Sequence, residues 1–590
     1  MKIPLQNSPP RWTSGRLLAY VLAAAVAFAP AAATAADVGD GATRAALLDE
    51  TPNYVQILRN QWSTERVEDL YDKYFGALGV EEGEPVPMTL EQAIALALQN
   101  NTGLEISRLN PILATSEVRR AYSVFDPAVF AGSGKSRSKS PLSSSSPFTA
   151  AGRETYQDNV FWDVGARKGL VTGGALALDW TNDRLSMPPN VGTLLVPRYD
   201  TLLNLSLNQP LLRNFGWRYA LLQVDVANTV EEAAFFEYKA QVVNLISRVE
   251  ASYWVLVLAI ENVRVEERGL ELARELLRQN KGRFDVGALP RTAVLESEAE
   301  VARREANLVR AENLELIARN TLSTLINSRD AEGDDVVRLD PVDLPILTEY
   351  EIDTKGCFDR AITTRPELIA ARLDVDSRAL LEKAAQNQLL PRLDFVGSFG
   401  LNGLGGENAG PISIGDIQIN ADPRVDGGYE SALGLLTDGR FYQYSAGVQI
   451  EVPLNNAAAK AEYAQSRIAS ERSRLSLRQL EENVALEVKN AINNVKSHIK
   501  SIEATRISRD LAEENVRNQQ ARYDVGLATT KDLIDFQERL TRAEQAVIEA
   551  LTRYNTDLVE LRRVDGTLLD YRNVEMRRVE AEGTPWWARF

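Results

Sequence analysis

The side chains that carry out most enzymatic chemistry are rare in this sequence, which contains one histidine, His498, and one cysteine, Cys357. A Ser-His-Asp or Cys-His mechanism would have to use His498 as its base. That residue stands in a helical pattern with Val488, Val495 and Ile502, which is typical of the seam of a long helix. A structural zinc site normally takes four ligands, mostly Cys and His, so it is excluded as well. The composition therefore predicts a protein that is not an enzyme and that binds no metal or other cofactor.

Phosphate-binding chemistry is not supported either. The stretch "GSGKS" (132–136) resembles a P-loop, but the first glycine of that motif would fall at Val129. The residues that follow do not predict the helix whose N-terminus such a loop needs. The formal net charge of −16 opposes binding to nucleic acid, because the phosphate backbone repels an acidic protein. Nucleic acid is thus not expected as a partner.

Two carboxylates are distinguished by their position. Asp532 and Asp535 lie three residues apart, on one face at the start of a predicted helix. In one interpretation they complement the positive end of the helix dipole, with Thr529 as the N-cap. The other acidic pairs in the helical regions are typical of solvated faces that pair with Arg and Lys. From spacing alone, the dipole interpretation of Asp532 and Asp535 is the simpler one.

These carboxylates follow a motif that occurs twice. The sequence "RFDVG" (283–287) returns as "RYDVG" (522–526), so that Phe284 and Gly287 correspond to Tyr523 and Gly526. Further pairs of similar stretches occur in the same order, which indicates that most of one half of the chain is repeated. We predict a first repeat over 88–330, an irregular link over 331–356 and a second repeat over 357–567.

A second pair of similar stretches lies at the two predicted strand-to-helix junctions. The stretch "NLSLNQPLLRNFG" (204–216) aligns with "GVQIEVPLNNAAA" (447–459), which places Pro210 opposite Pro453. Each repeat then has the same order of elements: a helix, a β-region, a very long helix, the DVG motif and a final helix. The predicted helices are 89–121, 217–284 and 291–326 in the first repeat, and 358–389, 455–523 and 530–566 in the second.

The long helices must pack against neighbours, because a polar helix with one apolar seam is not stable alone. Their apolar positions step by threes and fours, as in coiled coils. In each repeat the two shorter helices, placed end to end, match the length of the long one. We therefore predict two rods of antiparallel coiled coil.

The β-regions contain strands in which polar and apolar residues alternate. Residues 441–452 alternate strictly and 203–208 do the same, 393–402 alternate less cleanly, and a strand near 127–135 is the weakest of the four. Segment 157–183 is a candidate for a further hairpin that turns at 172–174. The strand lengths approach the 9–11 residues of a membrane β-strand. A soluble β-sandwich on a coiled-coil stalk fits the same pattern, and alternation alone leaves both open.

The N-terminus predicts a secreted protein. Residues 1–35 combine basic residues, a short apolar run and an Ala33-Thr34-Ala35 cleavage site, which is the pattern of a signal peptide. No later stretch approaches the length of consecutive apolar residues that a membrane-spanning helix needs. We expect an N-terminal extension at 36–87 and a C-terminal extension at 568–590 beside the two repeats.

Several of these motifs together resemble the TolC-like outer-membrane efflux family. They are "MTLEQAIALALQNN", "LNQPLLRNFG", "TTRPELIAAR", "VPLNNAAAKAEY" and above all "RYDVGLATTKDLIDFQ", and their order covers the chain from about 88 to 567. The resemblance implies a mainly α fold with a transmembrane β-barrel. It implies a homotrimer in which each chain gives four strands to a twelve-stranded barrel and in which the long helices form a periplasmic α-barrel.

The resemblance also implies a function. The protein would be a passive exit channel in the outer membrane, surrounded by outer membrane lipid and extending into the periplasm. Its partners would be a periplasmic adaptor protein and an inner-membrane pump of the RND, ABC or MFS type. A periplasmic coiled-coil scaffold or stalk without a pore is the alternative. The extensions are expected to pack outside the helical barrel, around its waist.

The resemblance assigns roles at the helix tips. The DVG turns, with Phe284, Gly287, Tyr523 and Gly526, would surround the channel entrance. Asp532 and Asp535 would form rings of carboxylates that narrow the entrance, and Glu296 of the first repeat would add charge to them.

Tyr523 matches a tyrosine that helps to latch the closed state in the family. The family's other two latch positions, an aspartate and an arginine, correspond to Ala293 and Ala528 here. A closed state must therefore be held by other residues.

Overall fold

The computed structural model describes residues 86–141, 154–187, 193–327, 339–347, 352–414 and 417–576. The predicted signal peptide (1–35), nearly all of the N-terminal extension and residues 577–590 lie outside these ranges. The described part of the chain forms a sheet unit, from residues 125–211 and 393–450, and a helical unit from the remainder.

The helical unit is built from the helices of both repeats, and the predicted mainly α architecture is confirmed. Helices of the first repeat are α1 (Leu90–Asn100), α2 (Thr102–Tyr122), the single turn α3 (Trp217–Ala220), α4 (Leu222–Asp285) and α5 (Arg291–Ile326). Helices of the second repeat are α6 (Thr354–Thr364), α7 (Pro366–Asn387), α9 (Ala457–Asp524) and α10 (Thr530–Val564). A short helix of the sheet unit, α8 (Tyr429–Asp438), precedes α9, and the single turn α11 (Leu568–Tyr571) follows α10.

The first predicted helix of each repeat is in fact two helices. The predicted helix 89–121 is interrupted at Asn101, which leaves the helical conformation and accepts a hydrogen bond at its side chain from the Leu104 amide, 3.0 Å away. The predicted helix 358–389 is interrupted at Arg365, because the residue before a proline is driven to an extended conformation and Pro366 begins the next helix. Both breaks follow from local side-chain chemistry that the apolar spacing does not reveal.

Two antiparallel hairpins, α4–α5 and α9–α10, form the body of the helical unit. The first packs around fully buried Val249, Tyr253 and Leu256 of α4, and the second around Val495 of α9 and Tyr554 of α10. Helix α7 packs against both α4 and α9, and α10 packs against α4, so the two repeats share one helical body. Such extended seams give long helices the tertiary contacts that they need for stability.

Helix α4 includes an 18-residue window that is apolar enough to cross a membrane. Just over half of that window, 56%, is buried inside the protein. The buried core helix of a soluble protein has the same composition. Burial of α4 in the core of the first hairpin therefore accounts for this apolar stretch.

The link between the repeats contains an ordered strand that the sequence pattern did not show. Strand β6 (Leu339–Pro341) pairs in parallel with β1 (Val86–Met88). Next to it, the Tyr253 hydroxyl lies 3.0 Å from the Met88 carbonyl oxygen and 3.0 Å from the Asp343 carboxylate. Burial raises the pKa of Tyr253, so this hydroxyl stays protonated and can donate.

The described start of the C-terminal extension also packs into the core of the first hairpin, α4–α5. Leu568 and Leu569 are buried there, and Arg572 forms an ion pair with Glu250 of α4, at 2.7 Å between Nε and Oε1. Glu250 is fully buried, so Arg572 neutralises a charge that would otherwise be costly.

The sheet unit has one large antiparallel sheet with six strands among the described residues. They are β2 (Ala128–Pro141), β3 (Glu154–Gly169), β4 (Ala175–Ser186), β5 (Leu195–Pro210), β7 (Arg392–Asn408) and β10 (Tyr442–Glu451). Their order is β10-β7-β5-β4-β3-β2, and a separate small hairpin joins β8 (Ile412–Ile414) to β9 (Ile417–Ile419).

The expectation of four strands per chain is therefore wrong for this sheet. The candidate hairpin 157–183 is real, and as β3 and β4 it lies between β2 and β5. It turns at 172–174, where Gly173 has φ of 85°, a conformation that favours glycine.

The sheet has one apolar and one polar face, because successive side chains of a strand point to opposite sides. One row of paired residues on the apolar face contains Val164, Trp180, Leu203 and Leu401, and the next contains Ala166, Leu178, Leu205 and Phe399. The row between them, on the polar face, contains Gly165, Asp179, Asn204 and Gly400. Strand β10 continues the apolar face with side chains that are largely exposed, namely Tyr442, Tyr444, Val448 and Ile450.

Besides Lys168 and Arg184, which lie on the same side of the sheet, the apolar face has a polar part that α8 covers. There the Thr201 hydroxyl donates to Asn182 at 2.7 Å, and the Tyr429 hydroxyl of α8 donates to the same Asn182 oxygen at 2.8 Å. The helix can approach because Gly403 has no side chain: a Cβ at that position would lie 2.0 Å from the Ala432 carbonyl oxygen.

Candidate functional site

The two DVG motifs form the turns at the ends of the two helical hairpins. Helix α4 ends at Asp285 and α9 at Asp524, and the glycines that follow have φ of 74° at Gly287 and 77° at Gly526. The amide of each glycine donates to the carbonyl oxygen three residues earlier, at 2.8 Å to Phe284 and 3.1 Å to Tyr523. Glycine is required because a left-handed conformation is costly for other residues.

The two turns differ in the burial of their aromatic residue. Phe284 is 41% exposed, whereas Tyr523 is 2% exposed. Tyr523 packs with Leu276, Leu533 and Ile534 in a small apolar cluster that joins the ends of the two hairpins. The two repeats thus differ in structure at a point where their sequence motifs are similar.

A buried polar network, which we call the tip node, surrounds the Tyr523 hydroxyl. It consists of Asn280, Ser297, Tyr523 and Thr530, each of which is at most 3% exposed. The Tyr523 hydroxyl donates to the Asn280 side-chain oxygen, and the Asn280 amide donates to Ser297 at 2.7 Å and to Thr530 at 3.4 Å. Ser297 in turn donates to the Ala293 carbonyl oxygen at 2.9 Å. The node connects α4 and α5 of the first repeat with α9 and α10 of the second.

Arg283 adds a charged contact at the edge of the tip node. Its guanidinium lies 3.2 Å from the Asp524 carboxylate and 5.0 Å from the centre of the Tyr523 ring. An ion pair and a cation–π contact of this kind both hold the first hairpin against the second.

A second connection between the hairpins, the buried ionic tie, consists of Arg304, Glu266, Glu300, Thr541 and Gln545. Arg304 donates to Glu300 at 2.7 Å and to the Thr541 hydroxyl at 3.2 Å, and lies 3.7 Å from Glu266. Gln545 of α10 donates to Glu266 of α4 at 2.8 Å. Charges this deep persist only when they are paired.

A more exposed ion pair continues the buried ionic tie. Arg303 of α5 lies 3.3 Å from Glu538 of α10. Burial alone would raise the pKa of Glu538, but the nearby Arg303 and Arg542 outweigh it and hold that pKa below its usual value.

Asp532 and Asp535 have different environments although both are exposed. The Asp532 carboxylate accepts from the Thr529 amide at 3.0 Å and from the Thr529 hydroxyl at 2.7 Å, which completes a capping box. These hydrogen bonds lower the pKa of Asp532. Among the described residues Asp535 has no hydrogen bond or ion pair. The interpretation of a helix cap therefore holds for Asp532, and Asp535 carries the free carboxylate.

The remaining predicted residues are dispersed. Glu296 is exposed on α5, and within the described chain no ion pair or hydrogen bond joins it to either aspartate. Ala293 is buried beside the tip node, and Ala528 packs against the apolar cluster. Pro210 is the last residue of β5, and Pro453 lies between β10 and α9.

The sequence analysis did not identify Asn280, Ser297, Thr530 or Arg304. A usable pattern was present, since Asn280 follows the seam residue Leu276 by four positions and Ser297 follows Val294 by three. Polar residues at seam positions predict a buried hydrogen-bond network. In the part of the chain that the structure describes, His, Cys, Asp and Glu form no cluster that could hold a metal ion.

Comparison with known proteins assigns the family. The family model described as outer membrane efflux protein matches residues 194–328 and 358–567, which is more than half of the chain. The chain is 26% identical over 381 residues to the outer membrane protein TolC of Vibrio cholerae serotype O1, covering 63% of this chain and 78% of that protein. It is 22% identical over 371 residues to TolC of Escherichia coli K12, covering 62% and 70%.

Solved structures share the fold. The outer membrane channel CmeC of Campylobacter jejuni aligns with a TM-score of 0.58 at 16% identity, over 81% of this chain and 86% of that one. The outer membrane protein VceC of Vibrio cholerae aligns with a TM-score of 0.56 at 16% identity, over 81% and 96%. The open-state channel MtrE of Neisseria gonorrhoeae gives a TM-score of 0.56 at 19% identity, over 82% and 91%.

The chain belongs to the outer membrane efflux protein family. That family consists of channels rather than enzymes. The protein is an exit channel of the outer membrane.

Proposed function

We propose that three copies of this chain form a passive exit duct, whose sheet units span the outer membrane and whose helical units lie in the periplasm. An inner-membrane pump would supply the energy, and a periplasmic adaptor would connect the pump to the helix tips. The observation that carries this proposal is the two-faced sheet. An exposed apolar face opposite a polar face suits a wall between lipid and water.

Two exposed apolar surfaces on the helical unit support the trimer. A groove of about 910 Å³ lies among α4, α5 and α10, and its lining includes Val255, Leu314 and Ile317, each about half exposed or more. Helix α9 exposes a second set of large apolar side chains, namely Ile468, Leu475, Leu486, Ile507 and Leu511. A contact between two different surfaces closes a ring when it is repeated by rotation. Three copies would remove both surfaces from water.

The tip node and the buried ionic tie are proposed to hold the closed state. They connect the two hairpins of one chain, and in this protein the positions of two family latch residues are Ala293 and Ala528. Opening would separate α9–α10 from α4–α5 at their ends. It would break the hydrogen bond between Tyr523 and Asn280 and the ion pair between Arg283 and Asp524.

Asp535 is proposed as the principal carboxylate of the entrance, with Asp532 and Glu296 as lesser contributors. The Asp535 charge is not compensated within the described residues, and in a trimer it would occur three times around one axis. A ring of carboxylates favours cations and repels anions.

The decisive experiment is extraction of the outer membrane with mild detergent, followed by measurement of the protein mass in the particle. We expect about three mature chains in one particle, and ion-conducting pores when that particle is added to planar bilayers. A monomer that leaves the periplasm without detergent would instead support the coiled-coil scaffold and would overturn the duct.

A further inference from the structure

The first repeat contains a β-hairpin, β3–β4, that has no counterpart in the large sheet among the described residues of the second repeat. The second repeat supplies only β7 and β10 to that sheet, whereas the first supplies β2, β3, β4 and β5. The family model matches from residue 194 onward in this half, so the hairpin precedes the matched region. Its role is therefore to be decided from its own residues.

The hairpin continues the central rows of both faces of the sheet. On the apolar face, Val164 and Trp180 lie in one row with Leu203 of β5, and Ala166 and Leu178 lie in the next row with Leu205. On the polar face, Asp163 pairs with Thr181, and Asp179 pairs with Asn204. A hairpin surrounded by water on both sides has no physical reason to keep an uncharged apolar stripe in register with four other strands.

The pairing between the hairpin and its neighbour β2 is fixed by aromatic rings over glycines. A Cβ at Gly165 would lie 2.2 Å from the Phe130 ring, and one at Gly134 would lie 2.4 Å from the Phe161 ring. Each ring therefore fills the space left by a glycine on the neighbouring strand, and both rings lie on the otherwise polar face of the sheet. Such aromatic cover of glycines fixes the strand register.

The strands of the hairpin are also long enough to cross a membrane. Strand β3 has 16 residues and β4 has 12, and a tilted membrane strand needs about 9–11. The polar part of the apolar face, at Asn182 and Thr201, is covered by α8 rather than left open. The hairpin thus meets the requirements of a wall strand in length, facing and pairing.

We propose that β3 and β4 are part of the barrel wall, so that each chain contributes six strands and the trimer encloses one eighteen-stranded barrel. This inference rests on the proposed function, because it assumes that the sheet lies in the outer membrane of a trimer. Barrel diameter grows roughly linearly with strand number, so the lumen is about 1.5 times as wide as in a twelve-stranded barrel.

The wider lumen has a consequence for the substrates. The barrel does not restrict bulky solutes, so selection by size falls to the entrance at the helix tips. The hairpin also adds three aspartates, Asp163, Asp179 and Asp183, against one cation, Arg167, on the polar, lumen-facing side, which makes the lumen more acidic and favours cationic solutes.

Single cysteines in matched rows test the proposal. Cys357 is the only cysteine of the chain and is buried, so a Cys357→Ser background carries no competing thiol. Leu178→Cys and Asp179→Cys report the two faces of the hairpin. Leu205→Cys and Asn204→Cys report the same two rows on β5, which is a wall strand with or without the hairpin. Each variant is reconstituted as the full trimer in lipid vesicles, and its reaction with a charged, water-soluble maleimide is timed.

We expect the cysteines at 179 and 204 to react readily. Those at 178 and 205 should react at least about tenfold more slowly, because the reactive thiolate is disfavoured in apolar surroundings. Rapid reaction at both 178 and 179, while 204 and 205 still differ, would place the hairpin outside the wall and overturn this proposal alone. Rapid reaction at all four positions would remove the sheet from the membrane and overturn the proposed function as well. If a cysteine variant does not assemble, electron cryomicroscopy of the unmodified trimer decides by the number of wall strands, with eighteen expected and twelve contradicting the proposal.

Discussion

At the scale of the residue, the contact between the ends of the two hairpins depends on polar side chains buried where a helical seam is normally apolar. Asn280 is fully buried, and both its oxygen and its amide nitrogen have partners in the tip node. Such a network stabilises one arrangement strongly and any loosened arrangement poorly, because an unpaired buried polar group is costly. It is therefore suited to a contact that must be either made or broken.

Removal of the Tyr523 hydroxyl is expected to favour opening. In Tyr523→Phe the Asn280 oxygen loses its buried donor, which costs about 1–3 kcal/mol, or roughly a 5- to 150-fold change in the opening equilibrium. The open fraction in planar bilayers should rise accordingly. Tyr463→Phe is the matched control, since it makes the same change elsewhere on α9, and equal behaviour of the two variants would contradict the role of the node.

Neutralisation of the entrance carboxylates is expected to weaken cation preference. The double variant Asp532→Asn, Asp535→Asn should show higher conductance and lower cation selectivity in planar bilayers, and unchanged selectivity would remove both residues from the entrance. The structure further predicts that Asp535→Asn alone produces most of the effect, because the Asp532 carboxylate is occupied by Thr529. The lowered pKa of Asp532 means that its contribution to the cap is complete above the ordinary carboxyl pKa of about 3.9 and is lost only as the pH falls through the lower folded value.

At the scale of the element, the hairpins are defined by their turns and by the contacts between their helices. Each DVG turn needs one glycine in the left-handed region, and nothing lies within 4 Å of a Cβ added at Gly287 or Gly526. The requirement for glycine is thus one of backbone conformation and not of space. The opposite holds at Gly403, where the backbone of α8 leaves no room.

Replacement of the second turn glycine should loosen the tip locally. Gly526→Ala costs about 1–2 kcal/mol, because a side chain disfavours the left-handed conformation. Amide hydrogen exchange around residues 519–535 should become roughly 5- to 30-fold faster. Gly282→Ala is the control, since Gly282 is helical and has open space around its Cβ, and there exchange should slow or stay the same. Unchanged exchange in Gly526→Ala would show that the turn adopts another conformation.

Removal of the central arginine of the buried ionic tie should destabilise the helical unit. Arg304→Met leaves Glu266 buried without a cation and leaves Glu300 with only the partly exposed Arg303, and it costs about 3–5 kcal/mol. Thermal unfolding followed by circular dichroism measures the change, and adding Glu266→Gln with Glu300→Gln should recover most of it. Arg274→Met is the control, because its pair with Glu305 joins two side chains that are 59% and 51% exposed and is worth about 1 kcal/mol or less. Equal effects at 274 and 304 would contradict the tie.

At the scale of the whole molecule, the described part of one chain leaves large apolar side chains exposed in both units. Strands β2 and β10 are the edges of the large sheet, and unpaired edges of this length invite association. In the helical unit, the groove at Leu314 and Ile317 presents a second surface of this kind.

A charge placed in that groove should prevent assembly. Ile317→Arg introduces a cation into a surface that the neighbouring chain would bury, and it should yield monomers in detergent by mass. Ile317→Leu keeps the apolar character and should remain trimeric. Trimers in both variants would show that the groove lies outside the contact between chains.

Much of the fold could be predicted from the sequence, because it depends on periodic patterns. The step of threes and fours predicted the long helices to within a few residues, and α5 coincides with the predicted 291–326. Alternation predicted the strands, and a capping pattern predicted Thr529 as an N-cap. The predictions failed where one residue overrides a pattern: Asn101 and Pro366 divide helices whose apolar spacing continues on both sides.

The sequence by itself determined the repeat, the two glycine turns, the scarcity of catalytic side chains and the family resemblance, since each of these is written in residue type and spacing. The local pattern also contained the capping box that occupies Asp532, since its partner Thr529 lies only three residues away. Only the tertiary structure decided that Asn280 meets Tyr523 from the other repeat, and that six strands of the described residues share one sheet. The physical reason is the same in both cases. They depend on which groups from distant parts of the chain come within hydrogen-bonding distance, and the local pattern of either partner contains no information about the other.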